Sequence, residues 1–264
     1  MELELEGKRA LVSGSTAGIG WAIAAALARE GAEVVLNGRT EPRVEAAVRQ
    51  IRERHPRARV GGIAADLATA EGCDRVVRAL PEVDILVNNL GIFAAVPFEQ
   101  ISDAEWMRIF EVNVLSGVRL ARAYLPGMKA RNWGRIQFIS SESALQIPVE
   151  MIHYGTTKTA QLAVSRGLAE TTRGTGVTVN AILAGPTRSE GVEAFVEGLA
   201  AQQGVTPAQV EREFFSTARP TSLLQRFAAP EEVAALAVFV ASGPASAVNG
   251  AALRVDGGVV RAIV

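Results

Sequence analysis

Cysteine is almost absent from this 264-residue chain. Cys73 stands alone, so no disulfide can close within the chain and no thiolate cluster can hold a metal. A single thiol of this kind is expected to be inert and partly buried. His55 and His153 are the only histidines and lie far apart in sequence, which speaks against a histidine metal centre. Neither charge is in excess, since 27 basic residues stand against 28 acidic ones for a net charge of -1. The mixture leaves no basic footprint for nucleic acid and no acidic tail. No apolar run reaches the ~18 residues that span a bilayer. The first six residues, Met1 to Glu6, alternate acidic and apolar, the opposite of a secretory signal. These absences predict a soluble cytoplasmic protein with no metal, nucleic-acid or membrane partner.

Aromatic residues make up only 5 % of the chain, whereas hydrophobic residues make up 48 %. Ala, Val and Leu are plentiful, which suits helices packed on a parallel sheet. The length allows one large α/β domain or two small ones. Hydrophobic periodicity alternates between strand and helix. Strands are expected at 9–13, 33–37, 59–64, 83–87, 135–140, 177–183 and 251–255, and helices at 18–29, 41–54, 70–80, 103–130, 151–173 and 230–241. The run Val83 to Val87 is almost wholly apolar, as a strand covered on both faces must be. Ser102 and Glu105 form a capping-box pattern, and Pro230 opens the last helix. The rhythm predicts an α/β fold in a single domain over 1–264, with a doubly wound parallel sheet of about seven strands and helices on both faces. It breaks once, over 187–226, where two short helical patterns at 190–203 and 207–216 replace a strand. A connection that long is expected to serve as a substrate lid at the carboxyl end of the strands.

The first strand runs into Ser13-Gly14-Ser15-Thr16-Ala17-Gly18-Ile19-Gly20. Gly14 suits a tight turn, Gly18 a close approach of backbone to a pyrophosphate, and Gly20 close packing of helix on strand. The helix that follows offers free N–H groups and the positive end of its dipole to phosphates. After the second strand comes Leu36-Asn37-Gly38-Arg39-Thr40. No acid stands there to bond the ribose 2′-hydroxyl of NAD, whereas Arg39 supplies a planar cation for the 2′-phosphate of NADP. NADP(H) is the favoured cofactor, with NAD(H) as the alternative.

Tyr154 and Lys158 lie four residues apart within the helical stretch 151–173, on one helix face. A neighbouring ammonium favours the phenolate and draws the hydroxyl toward the working range. Ser140 and Ser141 end the strand just before, and Asn88-Asn89 ends the fourth strand at the same edge. That carboxyl edge is where ligands of such sheets bind.

These residues resemble the short-chain dehydrogenase/reductase family over nearly the whole chain. The turn from Ser13 to Gly20 is similar to T-G-x-x-x-G-I-G. Asn88-Asn89-Leu90-Gly91 resembles N-N-A-G, Ala184-Gly185-Pro186-Thr187-Arg188-Ser189 resembles P-G-x-x-x-T, and Val255-Asp256-Gly257-Gly258 matches V-D-G-G. Ser141 falls thirteen residues before Tyr154, the family's spacing for the catalytic serine.

The resemblance implies a Rossmann-like NAD(P)-binding domain. It also implies a catalytic set of Asn113, Ser141, Tyr154 and Lys158. Tyr154 would protonate a carbonyl oxygen and act as base in reverse, Ser141 would orient that oxygen, Lys158 would tune Tyr154 and hold the ribose, and Asn113 would support a water path. The implied cofactor-binding set is Gly14, Ser15, Thr16, Gly18, Ile19, Gly20, Arg39, Asp66, Leu67, Asn88, Gly91, Tyr154, Lys158, Gly185, Thr187 and Ser189. Three departures stand out, namely Leu90 for alanine, Ala184 for proline and Ser189 for threonine. Relatives of this family pair long helices into homotetramers, so a homotetramer or homodimer is expected by analogy.

The implied reaction interconverts a small-molecule carbonyl and a secondary alcohol. Candidate lining residues are Ser143, Leu145, Ile147, Glu150, Met151 and the stretch after Thr187. They leave a sugar, polyol, steroid or keto-ester open. Two rival readings are a non-catalytic NAD(P)-binding regulator or scaffold, which would lose the Tyr, Lys or Ser, and an epimerase or dehydratase, which would need a second substrate domain.

Overall fold

A computed structural model describes residues 1–263. Seven parallel strands form one sheet in the order β3-β2-β1-β4-β5-β6-β7. They are β1 (Arg9–Val12), β2 (Glu33–Gly38), β3 (Arg59–Ala64), β4 (Ile85–Asn88), β5 (Gly134–Ser141), β6 (Val177–Ala184) and β7 (Ala252–Val255). The helices between them are α1 (Gly18–Arg29), α2 (Glu41–Arg54), α3 (Ala70–Ala79), α4 (Asp103–Phe110), α5 (Ser116–Ala130), α6 (Ile152–Glu170) and α9 (Pro230–Ala241). Two more, α7 (Glu190–Gln203) and α8 (Pro207–Thr217), lie between β6 and α9. Among the described residues no helix is long and apolar enough to cross a membrane.

The centre of the sheet is buried on both faces, whereas the edge strands β3 and β7 are partly exposed. Every residue of β4, β5 and β6 is buried, and the polar ones in β5 and β6 find partners inside, Gln137 Nε2 donating to the Ala237 carbonyl and Asn180 donating to the Val248 carbonyl and accepting from Ala251 N. One core packs Ile23, Leu27, Val233 and Val238 from α1 and α9 onto Val12, Leu36 and Ile85. The other packs Val76, Leu120 and Tyr124 from α3 and α5 onto Leu11, Leu86, Ile136 and Phe138. The 187–226 stretch carries its own small core. Phe214, Phe215 and Phe227 meet with ring centroids 5.1 Å apart, and Val196, Ala200 and Val210 pack with them.

The winding reverses between β1 and β4. Chain on one side of that point goes out through β2 and β3, and on the other through β5, β6 and β7. The loops leaving the carboxyl ends of β1 and β4 therefore part and leave a crevice. Everything of chemical interest gathers along that edge.

The element boundaries follow the sequence pattern closely, with one informative exception. The stretch 103–130 is expected to be one helix, but it is two, joined by a π-helical turn over Glu111–Leu115. A π turn inserts one residue into the helical ladder, and periodicity does not register it. The turn turns Asn113 inward, where its side chain is clasped by the backbone of Ile92.

Ile85 belongs to the central strand β4 and is fully buried in the core it shares with α1 and α9. Replacing it with alanine should cost about 2–5 kcal/mol through lost transfer energy and the cavity left behind, read as a lower urea midpoint at unchanged slope.

Candidate active site

The turn after β1 is held in a conformation that suits an anion. Gly14 and Gly18 have φ values of 58° and 57°, in the left-handed region that favours glycine. α1 begins at Gly18 with no side-chain cap on its N-terminus and no acid in its first turn. Its free N–H groups and dipole are left for a negative group. Gly20 leaves no room for a side chain, because a Cβ there would collide with Asn89 Nδ2 and meet the Gly14 oxygen at 2.7 Å. Asn89 Nδ2 donates to the carbonyls of Ser13 and Gly14. Asn37 accepts from Gly14 N and donates to the carbonyls of Ile63 and Ala65. The turn is thus pinned from β2 and β4 at once. Ser15 joins it, its Oγ donating to the Val12 carbonyl and accepting from Asn37 N.

Arg39 is exposed just past the end of β2. Asp66 follows β3, with Oδ1 accepting from Ala68 N at 3.1 Å. The side chain of the next residue, Leu67, goes instead into the core beneath α3 and α5, so only its backbone remains to meet a ligand. Both polar side-chain atoms of Asn88 are buried and find no partner among the described residues. Gly185 is pressed against the backbone of Asp256. Thr187 Oγ1 donates to the Gly185 carbonyl, and Ser189 lies 3.3 Å from where a Cβ on Gly18 would sit. The positive-φ glycines, the uncapped helix and the unpartnered amide of Asn88 together fit a dinucleotide laid along this edge. The departures from the family pattern are absorbed locally. Leu90 packs over Gly14, and the turn after Ala184 is still fastened by Gly185 N to the Val255 carbonyl at 3.2 Å.

Three elements bring the expected chemical residues together. β5 ends at Ser141, α6 presents Tyr154 and Lys158 one turn apart, and the π turn contributes Asn113. Lys158 Nζ lies 5.5 Å from the Tyr154 ring centroid, donates to the Ile139 carbonyl at 2.9 Å and reaches Gln161 Oε1 at 3.3 Å. Gln161 Nε2 donates to the Asn113 carbonyl at 2.5 Å. The Asn113 amide in turn donates to Thr157 Oγ1 and the Ile92 carbonyl. Gly91 sits directly over this group, a Cβ there meeting Lys158 Nζ at 3.4 Å. Phe93 closes one side of Tyr154 edge-on, at 6.1 Å between centroids.

Burial depresses the ammonium of Lys158 to about 8, against the attraction of Glu142. The expected effect of that ammonium on Tyr154 is not the dominant one. Burial, followed by the charge of Glu142, pushes the Tyr154 hydroxyl above its ordinary value, against the pull of Ser141 and Arg219. Lys158 is itself desolvated and engaged by two acceptors, which is why its presence alone does not decide the balance.

Three participants were not legible in the sequence. Ser141 Oγ donates to the carboxylate of Glu142 and accepts from Ser143 N at 3.1 Å. Glu142 Oε1 takes Arg219 Nε at 3.1 Å, and Arg219 Nη1 approaches Glu150 at 3.4 Å. Glu142 adjoins Ser141 in sequence and could have been suspected on that ground. Arg219 comes from 77 residues away, so no short spacing announces it, whereas Gln161 lies three residues past Lys158 on the same helix, outside the Tyr-Lys spacing itself.

A parallel sheet with an uncapped helix at its switch point, and a Tyr-Lys pair beside it, defines an oxidoreductase of the doubly wound nucleotide-binding class. Known proteins narrow this further. A family model described as Enoyl-(Acyl carrier protein) reductase matches residues 14–260. The uncharacterized oxidoreductase YvaG of Bacillus subtilis (strain 168) is 50% identical over 263 residues, with 100% of both chains covered. D-beta-hydroxybutyrate dehydrogenase of Cupriavidus necator is 36% identical, with 96% of this chain and 98% of that one covered. The crystal structure of L-sorbose reductase from Gluconobacter frateurii, complexed with NADPH and L-sorbose, matches with a TM-score of 0.92 at 34% identity over 100% of both chains. The chain belongs to the short-chain dehydrogenase/reductase family.

Gly20→Ala should force Asn89 and the Gly14 carbonyl apart. Dinucleotide affinity, read by nicotinamide fluorescence, should fall at least about tenfold, the equivalent of ~1.4 kcal/mol.

Proposed function

We propose that this oxidoreductase uses NADP(H) to interconvert a carbonyl and a secondary alcohol on a small organic substrate, with Tyr154 as general acid and base. The observation that carries the reading is the convergence of Ser141, Tyr154 and Lys158 at the carboxyl edge, next to a glycine turn shaped for a pyrophosphate.

The nicotinamide, when bound, supplies or accepts the hydride. The protein's part is position and proton handling. Tyr154 releases its hydroxyl proton to the carbonyl oxygen during reduction and takes it back from the alcohol during oxidation. Ser141 fixes the position of that oxygen. Lys158, anchored by Ile139 and Gln161, holds a positive charge beneath the phenol and toward the ribose. Asn113 and Gln161 keep the π turn and Lys158 in register. The N-terminus of α1 receives the pyrophosphate, Asp66 the adenine, and Gly185, Thr187 and Ser189 border the nicotinamide end. Arg39 reads the 2′-phosphate. NADPH in the L-sorbose reductase structure supports this cofactor, and the ketose in the same structure supports a small hydroxylated ketone among the candidate substrates. The 187–226 stretch then serves as the substrate cover.

Tyr154→Phe should lower kcat for ketone reduction by about 10²–10⁴-fold, the usual worth of a general acid, with NADPH affinity nearly intact. Retained turnover would remove Tyr154 from the role. Arg39→Ala should weaken NADPH about tenfold to a hundredfold, as loss of a charge-assisted phosphate bond does, while leaving NADH unchanged. Equal losses for both cofactors in titration would make Arg39 structural.

A further inference from the structure

One charged pair bridges the crevice at the end where the adenosine would lie. Arg43 stands in the first turn of α2, four residues past Arg39. Its Nη2 donates to Oε2 of Glu190, the first residue of α7, at 3.0 Å. Among the described residues this is the one ion pair that joins the 187–226 stretch to the elements β1 to α2.

The two partners come from opposite banks. Ser189, the N-cap of α7, lies 3.3 Å from where a Cβ on Gly18 would sit, so Glu190 leaves the chain beside the start of α1. On the other bank, Gly38 at the end of β2 has no room for a side chain against Thr16 of the glycine turn, and α2 begins three residues later. A dinucleotide with its pyrophosphate at the start of α1 and its adenosine past the end of β2 brings its ribose to the gap that Arg43 and Glu190 bridge.

The pair itself is easily parted. Its side chains are 60 % and 67 % exposed, and water and salt screen their attraction. A phosphate monoester is the stronger partner for a guanidinium. It carries a charge of about −1.5 to −2 at neutral pH, where a carboxylate carries a single negative charge, and it offers three oxygens in place of two. A guanidinium held only by such a carboxylate is available to a phosphate that arrives beside it.

We propose that Arg43 is a second specificity-determining residue for the 2′-phosphate of NADP(H), beside Arg39, and that Glu190 competes with that phosphate for its guanidinium. This rests on NADP(H) lying with its 2′-phosphate at Arg39. NAD(H), with a hydroxyl at the same place, leaves Arg43 on Glu190.

Binding alone tests this, without turnover. NADPH and NADH are titrated by nicotinamide fluorescence, and adenosine 2′,5′-bisphosphate, which has the 2′-phosphate but no nicotinamide, by calorimetry. Arg43→Gln should weaken NADPH and the bisphosphate about threefold to tenfold, and Glu190→Gln should tighten both about twofold to fivefold, as exposed charge pairs allow. NADH should be unchanged in either variant. Adding Glu190→Gln to Arg43→Gln should leave both phosphate ligands where Arg43→Gln alone puts them. Both substitutions break the same ion pair, so a clasp that only holds α7 in place would shift affinity in one direction, and equally for NADPH and NADH. That result, or unchanged affinities, would overturn the proposal. Arg39→Ala separates it from the reading beneath it. NADPH weakened by Arg39→Ala but untouched by Arg43→Gln would remove the role of Arg43 alone. NADPH weakened no more than NADH by Arg39→Ala would remove the 2′-phosphate site, and the role of Arg43 with it.

Discussion

The reversal of winding between β1 and β4 is the constraint on which the rest depends. It parts the loops at the carboxyl edge, and only there can a long, flat, charged ligand lie against backbone without meeting a crossover helix. The glycine turn, the pinning amides of Asn37 and Asn89, and the buried amide of Asn88 all belong to that one crevice. β5 and β6, buried along their whole lengths, provide the rigid ground from which Ser141 and Gly185 project. The chemistry is therefore carried by the ends of strands that cannot move without opening the core.

Within that frame, small irregularities do the positioning. The π turn at Glu111–Leu115 departs from an α-helix by one residue, and by doing so brings Asn113 over to Ile92 and Thr157. Gln161 then ties Lys158 to the Asn113 carbonyl. These bonds are buried, where each lost partner leaves an unsatisfied group costing about 1–3 kcal/mol. The set is consequently stiff, and Lys158 is not free to choose its neighbours.

The strand and helix pattern was legible because each element is long, strongly periodic and punctuated by glycine, proline or a capping residue. The bounds of α1 and α2 coincide with those expected. The glycine turn, Tyr154 and Lys158 were legible because short spacings on one element fix their relative positions. The π turn was not, since periodicity survives a one-residue insertion. The Glu142–Arg219 pair was not, since 77 residues of chain separate its members and only tertiary packing of the 187–226 stretch brings them together. The direction of the Leu67 side chain was not legible either, for a residue beside a site can send its side chain into the core. The balance of forces on Tyr154 was also hidden, because it depends on burial and on Glu142 more than on the lysine that the motif displays.

The position of the substrate oxygen tests the roles of Tyr154 and Ser141 most directly. A crystal structure of the enzyme with NADPH and an unreactive ketone would locate it. The carbonyl oxygen should lie within hydrogen-bonding reach of both the Tyr154 and Ser141 hydroxyls, about 2.6–3.2 Å from each. A bound ketone whose oxygen turns away from Tyr154 toward other groups would contradict those roles.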